Sequence, residues 1–265
     1  MSRGTDSAGQ PFDGRAFRPH PFAGDTGEAD PSLVGALERF HALVQSKNPV
    51  PDSSHISESW TAVVDALRGA RVLIPLIAEA SGMDLTSEGV KVEKTQELSI
   101  IHVEGPDGRP VSPLFSDVAS MAAWNSAARP IPVSASQAAL AAASDGVTLM
   151  VINPGQVNSV TLRRSAVKAV ATGEAYVPPY SDPLVLQALQ EALVGEELWF
   201  PRLSIRSGDI THSLSGPEVI VVLSATPGLD KKELHTRLAQ VSVEWTKSSI
   251  LTERVDGLGV KVVSA

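Results

Sequence analysis

Val147-Thr148-Leu149-Met150-Val151-Ile152-Asn153-Pro154-Gly155 decides how the rest of the chain is read. Its apolar run lies between Asp145-Gly146 and Asn153-Pro154-Gly155, which predicts a buried central strand ending in a sharp turn. Asn and Gly tolerate positive φ and proline stiffens the bend, so the turn is first of all a structural device. The alternative is that its backbone amides, at the end of a central strand, line a ligand or partner groove. Asn153, Pro154 and Gly155 are therefore candidate interaction residues, and nothing catalytic is visible in the run.

On the N-terminal side of that strand, Ser134 or Ser136 starts an alanine-rich helix through about Ala143, preceded by an extended Arg129-Pro130-Ile131-Pro132-Val133. Ser116 is expected to cap a short helix carrying Val118, Met121 and Trp124. Glu97 to Val103 and Val111 to Phe115 flank Gly105-Pro106-Asp107-Gly108, a hairpin signal in which Pro presets the turn and Gly supplies the permissive position. Met83 to Lys94 reads as an exposed loop. Val72-Leu73-Ile74-Pro75-Leu76-Ile77 reads as a strand within Arg71 to Ala80, at an edge or bulged, because Pro75 has no N–H for the ladder. Two helices precede it. Asp30-Pro31 is a cap followed by proline, with Leu33, Leu37, Phe40 and Val44 on one face. After Asn48-Pro49-Val50-Pro51-Asp52, Ser57 is expected to cap the second, with Trp60, Val63, Val64 and Leu67 inward and Gly69 at its end.

Beyond the opening strand come a strand over Val157 to Leu162 and a helix from Ser165 to about Thr172, closed by Gly173. Tyr176-Val177-Pro178-Pro179-Tyr180-Ser181-Asp182-Pro183 has little periodicity and reads as a boundary. Asp182-Pro183 then opens a helix with Val185, Leu189 and Leu193 that stops at Gly195. A strand over Leu198 to Ile205, a loop over Ser207 to Pro217, the run Val219 to Leu223, a helix from Asp230 and a strand at Val260 to Val263 complete the chain. Strands and helices alternate with hairpins mixed in, so the expected class is α+β, in two domains, each a mixed or mostly antiparallel sheet covered by helices. The division is residues 1–29 as a flexible or docking segment, 30–176 as a first domain, 177–182 as a linker and 183–265 as an α-β-β-α-β domain.

A formal net charge of −8 and the lack of any basic run argue against nucleic acid as a partner. The absence of cysteine removes disulfides, thiolate nucleophiles and Cys-based zinc sites. No apolar run reaches the roughly 18–20 residues that span a bilayer, and the N-terminus has no signal-peptide core, so a cytoplasmic protein without a membrane partner is expected. A homo-oligomer is compatible with the sequence.

Residues 1–30 are rich in Gly, Pro, Asp and Ser. They read either as a tail or, over Pro21 to Pro31, as an ordered loop docking on this chain or on a partner, which makes Phe22, Gly24, Asp25, Gly27 and Asp30 candidates. The histidines are scattered, no HExxH motif or phosphate loop is present, and no Gly-x-Ser-x-Gly elbow exists. Ser215 near His212 is only a neighbourhood. No catalytic, metal or cofactor residue is assigned. Trp199-Phe200 should place one ring outward, so Trp199 joins the candidates.

Residues from about 30 to 175 resemble the N-terminal domain of the SseB (enhanced serine sensitivity) family. The resemblance rests on Leu73-Ile74-Pro75-Leu76, on Val111-Ser112-Pro113-Leu114-Phe115-Ser116, on a helix ending near Trp124 and on Ile152-Asn153-Pro154-Gly155. Pro21-Phe22-Ala23-Gly24-Asp25 with Ala29-Asp30-Pro31, and Ala70 to Leu76, look like the actinobacterial branch. Residues 183–265 are similar to the family's C-terminal domain in element order. The resemblance carries over no catalytic residue. The expected function is that of a non-enzymatic interaction or regulatory protein with an unknown protein partner; a small-molecule sensor, of amino-acid type by the family name alone, is the alternative and an enzyme is third. A secretion role is disfavoured for want of membrane-inserting or coiled-coil segments.

Overall fold

The computed structural model describes residues 21–46, 52–78 and 98–265. The N-terminal residues through His20, the loop expected over Met83 to Lys94 and all of the Asn48–Asp52 break except Asp52 lie outside them.

Aspartates begin the first helices. In α1 (Pro31–Gln45) the Asp30 carboxylate accepts from the Ser32 N–H at 2.8 Å, and Leu33, Ala36, Leu37 and Phe40 are buried. In α2 (Ser53–Gly69) the cap is Asp52, not Ser57, so the helix starts one turn earlier than expected. Asp52 accepts from two N–H groups of the first turn, whereas Ser57 lies inside the helix and meets Ser181 Oγ at 2.6 Å.

Strand β1 (Arg71–Ala78) pairs with β5 (Arg129–Ser134) on one side and with β2 (Leu98–Ile100) on the other. Pro75 is thus in neither an edge strand nor a bulge. Leu73 exchanges both backbone bonds with Phe115, at 2.8 and 2.9 Å, on the β2 side of β1. Pro75 has the same parity and falls in the gap between Phe115 and β2, where no N–H is required. Opposite it, Pro130 and Pro132 turn their nitrogens away from β1, along the outer edge of β5. That edge therefore offers few donors to a passing strand.

The stretch expected as one strand from Glu97 to Val103 is split: β2 belongs with β1, whereas β3 (Val103–Glu104) pairs with β4 (Pro110–Leu114). Between them Gly108 takes φ +81° and donates to Gly105 O at 2.9 Å, closing the expected hairpin. Helix α3 (Val118–Trp124) is capped by Asp117 rather than Ser116, and α4 (Ala135–Ser144) by Ser134, whose hydroxyl and Gln137 form a capping box.

The opening stretch becomes β6 (Met150–Ile152), flanked by β4 in parallel and by β7 (Val160–Leu162) antiparallel, with every side chain buried. Alternation sends Met150 and Ile152 toward α1, α2, α4 and α5 (Arg164–Thr172), and sends Leu149 and Val151 to the opposite face against Val111 and Leu214.

After a 3₁₀ turn at Pro179–Ser181, α6 (Pro183–Glu191), α7 (Lys231–Lys247) and α8 (Ser249–Arg254) cover one face of a second sheet. Its strands are β8 (Arg202–Ser207), β9 (Val219–Ala225) and β10 (Leu258–Ser264), in the order β10-β9-β8. β8 starts later than expected, because Leu193 to Phe200 forms successive turns around Gly195 (φ +92°) before Pro201 straightens the chain. The architecture is α+β, with two large apolar clusters, one under α1, α2, α4 and α5 and the other under α6, α7 and α8, and two small ones around Leu149 and Phe115.

Candidate functional site

Two stretches proposed from the sequence as interaction candidates meet through two residues, Arg71 and Ser116, that were not among those candidates. Arg71, at the start of β1, has its Nε 2.6 Å from Asp25 Oδ2, and both side chains are only 14% exposed. Its guanidinium also donates to the carbonyl of Glu28 and, at 2.9 Å, to that of Ser116. Ser116 in turn donates its N–H to Asn153 Oδ1 at 2.9 Å and accepts from Asn153 Nδ2 at 3.0 Å. The N-terminal loop and the turn after β6 are therefore ends of one hydrogen-bonded chain: Asp25, Arg71, Ser116, Asn153.

Each candidate has a definite place. Gly27 takes φ +78° and offers its carbonyl to the Val118 N–H at 3.0 Å; a Cβ there would lie 2.5 Å from Val118 Cγ2. Phe22 is half-buried and its carbonyl accepts from Asp25, Gly24 faces open space, and Asp30 caps α1. Asn153 is fully buried with φ +49°, and Gly155 has φ +78°. Trp199 is brought to none of these: it lies under the Arg237 guanidinium, 4.1 Å from the ring centre, while Phe200 points into the second cluster.

Arg71→Ala should cost about 2 kcal/mol, because it strands a partly buried carboxylate and two carbonyls. At this chain length that is a fall in Tm of roughly 4–8 °C, with faster proteolysis between Pro21 and Asp30. An unchanged melting curve would mean that the loop is not held by Arg71.

Pro154 and Gly155 line a groove of about 250 Å³ between the β3–β4 hairpin and Ser213-Leu214. Of its lining residues Glu104 alone is ionisable. Val157, on the same turn, is 88% exposed.

A buried polar junction joins the two clusters, and sequence reasoning missed it. Arg163, directly after β7, donates to Asp209 Oδ2 at 2.8 Å, to Gly216 O at 2.6 Å and to Asp256 Oδ2 at 3.2 Å. Arg109 makes a two-pronged pair with Asp256 at 3.0 and 2.9 Å. His212 stacks on Trp60 with centroids 3.7 Å apart, and its carbonyl accepts from the Thr161 N–H at 2.6 Å. Glu218 accepts from the Asp256 N–H at 2.7 Å and from Ser165 Oγ at 3.4 Å. The only signal in the sequence was position: a charged residue immediately beside the apolar end of a strand, as Arg163 is to Leu162 and Glu218 to Val219.

Burial pushes the Asp256 carboxyl up, but hydrogen bonds and charge from Arg109 and Arg163 outweigh it and hold it below the usual range. Asp209 is likewise lowered against its burial, by Arg163 and the Ser213 N–H. Glu218 lacks a cationic hydrogen-bond partner, and burial pushes it up to about 7. A value near neutrality suits acid–base chemistry, yet both Glu218 oxygens are engaged and the residue is 3% exposed. Ser215 and His212 form no nucleophile–base pair: Ser215 Oγ donates to Asp209 at 3.0 Å, and His212 Nε2 faces Tyr180 OH at 3.4 Å. Among the described residues no group of three or more His, Asp or Glu could hold a metal ion, and no helix is long and apolar enough to cross a membrane.

Neither the curated proteins nor the solved structures contain a match to this chain. Residues 52–169, which hold Arg71, Ser116 and Asn153, do match a family model, that of the SseB protein N-terminal domain.

Proposed function

We propose that this chain is a non-enzymatic, cytoplasmic protein-interaction or regulatory protein of the actinobacterial branch of the SseB family, built as two domains that divide near residues 177–182. The observation that carries this reading is the groove at Pro154 and Gly155: it is open, of about 250 Å³, lined mainly by apolar groups, and flanked by the 88% exposed Val157. Clusters of that kind suit a protein surface more than a polar substrate. The ionisable groups of the junction are engaged with one another, as in a structural brace.

The test is a photocrosslinking side chain at Val157 of the full-length protein in its own host, with the same probe at Val194, 77% exposed and beside the second cluster. A partner crosslinked from Val157, not from Val194, and lost with Val103→Glu on the groove wall is the expected result. Capture that is insensitive to Val103→Glu in a normally melting variant defeats the assignment.

A second reading is favoured by a different cleft, of about 130 Å³, between the end of α8, the first turns of α5 and the segment Glu174 to Val177. Lys168 and Arg254 face Glu174, Asp182 and Glu253 around it, so it presents both charges that a small zwitterion requires. Stabilisation by a free amino acid at millimolar concentration, abolished by Lys168→Ala, would establish the sensor reading; no shift with any amino acid removes it.

A further inference from the structure

Among the described residues no strand pairs with the outer edge of the last strand, β10. Its ladder with β9 is bracketed by Val219 N–H to Gly257 O at 3.0 Å and Ala265 N–H to Ala225 O at 2.9 Å. Parallel pairing in this register spends the backbone groups of Gly259, Lys261 and Val263 on β9. The N–H and C=O groups of Leu258, Val260 and Val262 therefore point away from the sheet, and β10 is the terminal strand of its sheet.

The two faces beside that edge differ. On the helix face, Leu258 and Val260 are 36% and 44% exposed and, with Trp245, Leu251 and Val255, wall a mainly apolar groove of about 360 Å³ between α7, α8 and β10. On the other face the register aligns Lys261 with Val222 and Ser204, and Arg202 and Arg206 lie on the same side of β8. All three cations are exposed, and among the described residues none makes an ion pair, although the chain carries a net charge of −8.

We infer that the β10 edge is a docking site for an extended segment of another protein in which acidic and apolar residues alternate. Such a segment adds as a fourth strand, places its apolar side chains in the groove and sets its acidic ones beside Lys261. Charge selects this occupant over a second copy. Full overlap of two β10 edges, residues 258–264 paired antiparallel, puts Lys261 directly opposite Lys261, an unfavourable pair. Nucleic acid is disfavoured because the open face has no aromatic ring for stacking bases. The inference rests on the protein-interaction reading but uses a different surface from the Pro154–Gly155 groove.

The test is fluorescence anisotropy with two labelled eight-residue peptides, one alternating Glu and Val and the other alternating Lys and Val, titrated with the full-length protein at low salt. The expected result is binding of the Glu peptide at least tenfold tighter than the Lys peptide. Lys261→Glu should reverse the preference. Val260→Pro, which removes one outward N–H, should weaken the Glu peptide at least fivefold with the melting temperature retained. Equal affinity for both peptides, or indifference to both substitutions, overturns the inference. So does concentration-dependent dimerisation in sedimentation that Val260→Pro abolishes, since the occupant is then a second copy. None of these negative results alters capture at Val157, so the broader reading stands or falls separately.

Discussion

Replacing Arg163 by alanine is expected to lower the unfolding free energy by about 3–5 kcal/mol, the cost of removing one partner from a buried ion pair. The side chains of Arg163, Asp209 and Asp256 are 4%, 1% and 5% exposed, so neither carboxylate regains water when the guanidinium goes. Asp209 keeps the N–H groups of Ser213 and Leu214 and the hydroxyl of Ser215, and Asp256 keeps Arg109; these remaining bonds limit the loss. Lysine is not a conservative replacement, because an ammonium cannot reach Asp209, Asp256 and Gly216 O with the geometry of a fork. Arg163→Lys should therefore recover less than half of the stability. Urea denaturation at pH 7 measures both, read as a fall in midpoint at constant slope. A loss under 1 kcal/mol for Arg163→Ala would show that water reaches the junction.

Loss of Arg163 should also loosen the Ser207 to Pro217 segment, since Asp209 is the post around which that loop is tied. His212 and Leu214 both adopt positive φ, at 50° and 61°, an uncommon conformation for such side chains. They are held there by packing on opposite sides: His212 against Trp60, Leu214 against Val111, Leu149 and Val151.

Local signals in the chain translated well where a single residue fixes the backbone. Asp30-Pro31 and Asp182-Pro183 both cap helices, Gly108 closes the hairpin, and Gly173 ends α5 with φ +76°. The Met150–Ile152 run is a central strand, and the turn after it takes the positive φ values that Asn and Gly allow. Failures arose where apolar content outweighed turn chemistry: Leu198-Trp199-Phe200 looks like a strand but winds through turns, because Gly195 lets the chain reverse before Pro201. Pro75 was misplaced because a central strand with two different partners on one edge contains a gap that no local pattern announces. The junction was illegible for a simpler reason. Arg163 reaches Asp209 across 46 residues and Asp256 across 93, and nothing in either neighbourhood names the other.

Glu218 and His212 should mask each other's effect on stability, and single substitutions should unmask both. Burial raises Glu218 from 4.5 to about 7 and lowers His212 from 6.5 to about 3, the charge of Asp209 opposing the latter shift and that of Arg163 adding to it. Between pH 4.5 and 6.5 the folded protein carries one proton, on Glu218, and the unfolded chain also carries one, on the imidazole. Equal proton counts give no net dependence on pH from this pair. Asp209 and Asp256, the nearby carboxylates, are held below their usual range and titrate under this window. In Glu218→Gln only the histidine remains. Its contribution is present above pH 6.5 and is lost as pH falls, so the variant should lose about 3 kcal/mol between pH 6.5 and 4.5. In His212→Asn, chosen because asparagine accepts the positive φ, only the carboxyl remains. Its contribution is present below pH 4.5 and is lost as pH rises through 7, so this variant should lose about 3 kcal/mol over the same span in the opposite direction. Glu218→Gln should also exceed the parent in stability at pH 8, where the parent must keep an ionised carboxylate buried. Urea midpoints at pH 4.5, 5.5, 6.5 and 8 separate these outcomes. Opposite slopes in the two variants around a flat parent are expected; parallel profiles for all three proteins would show that neither group is buried in the state assigned to it.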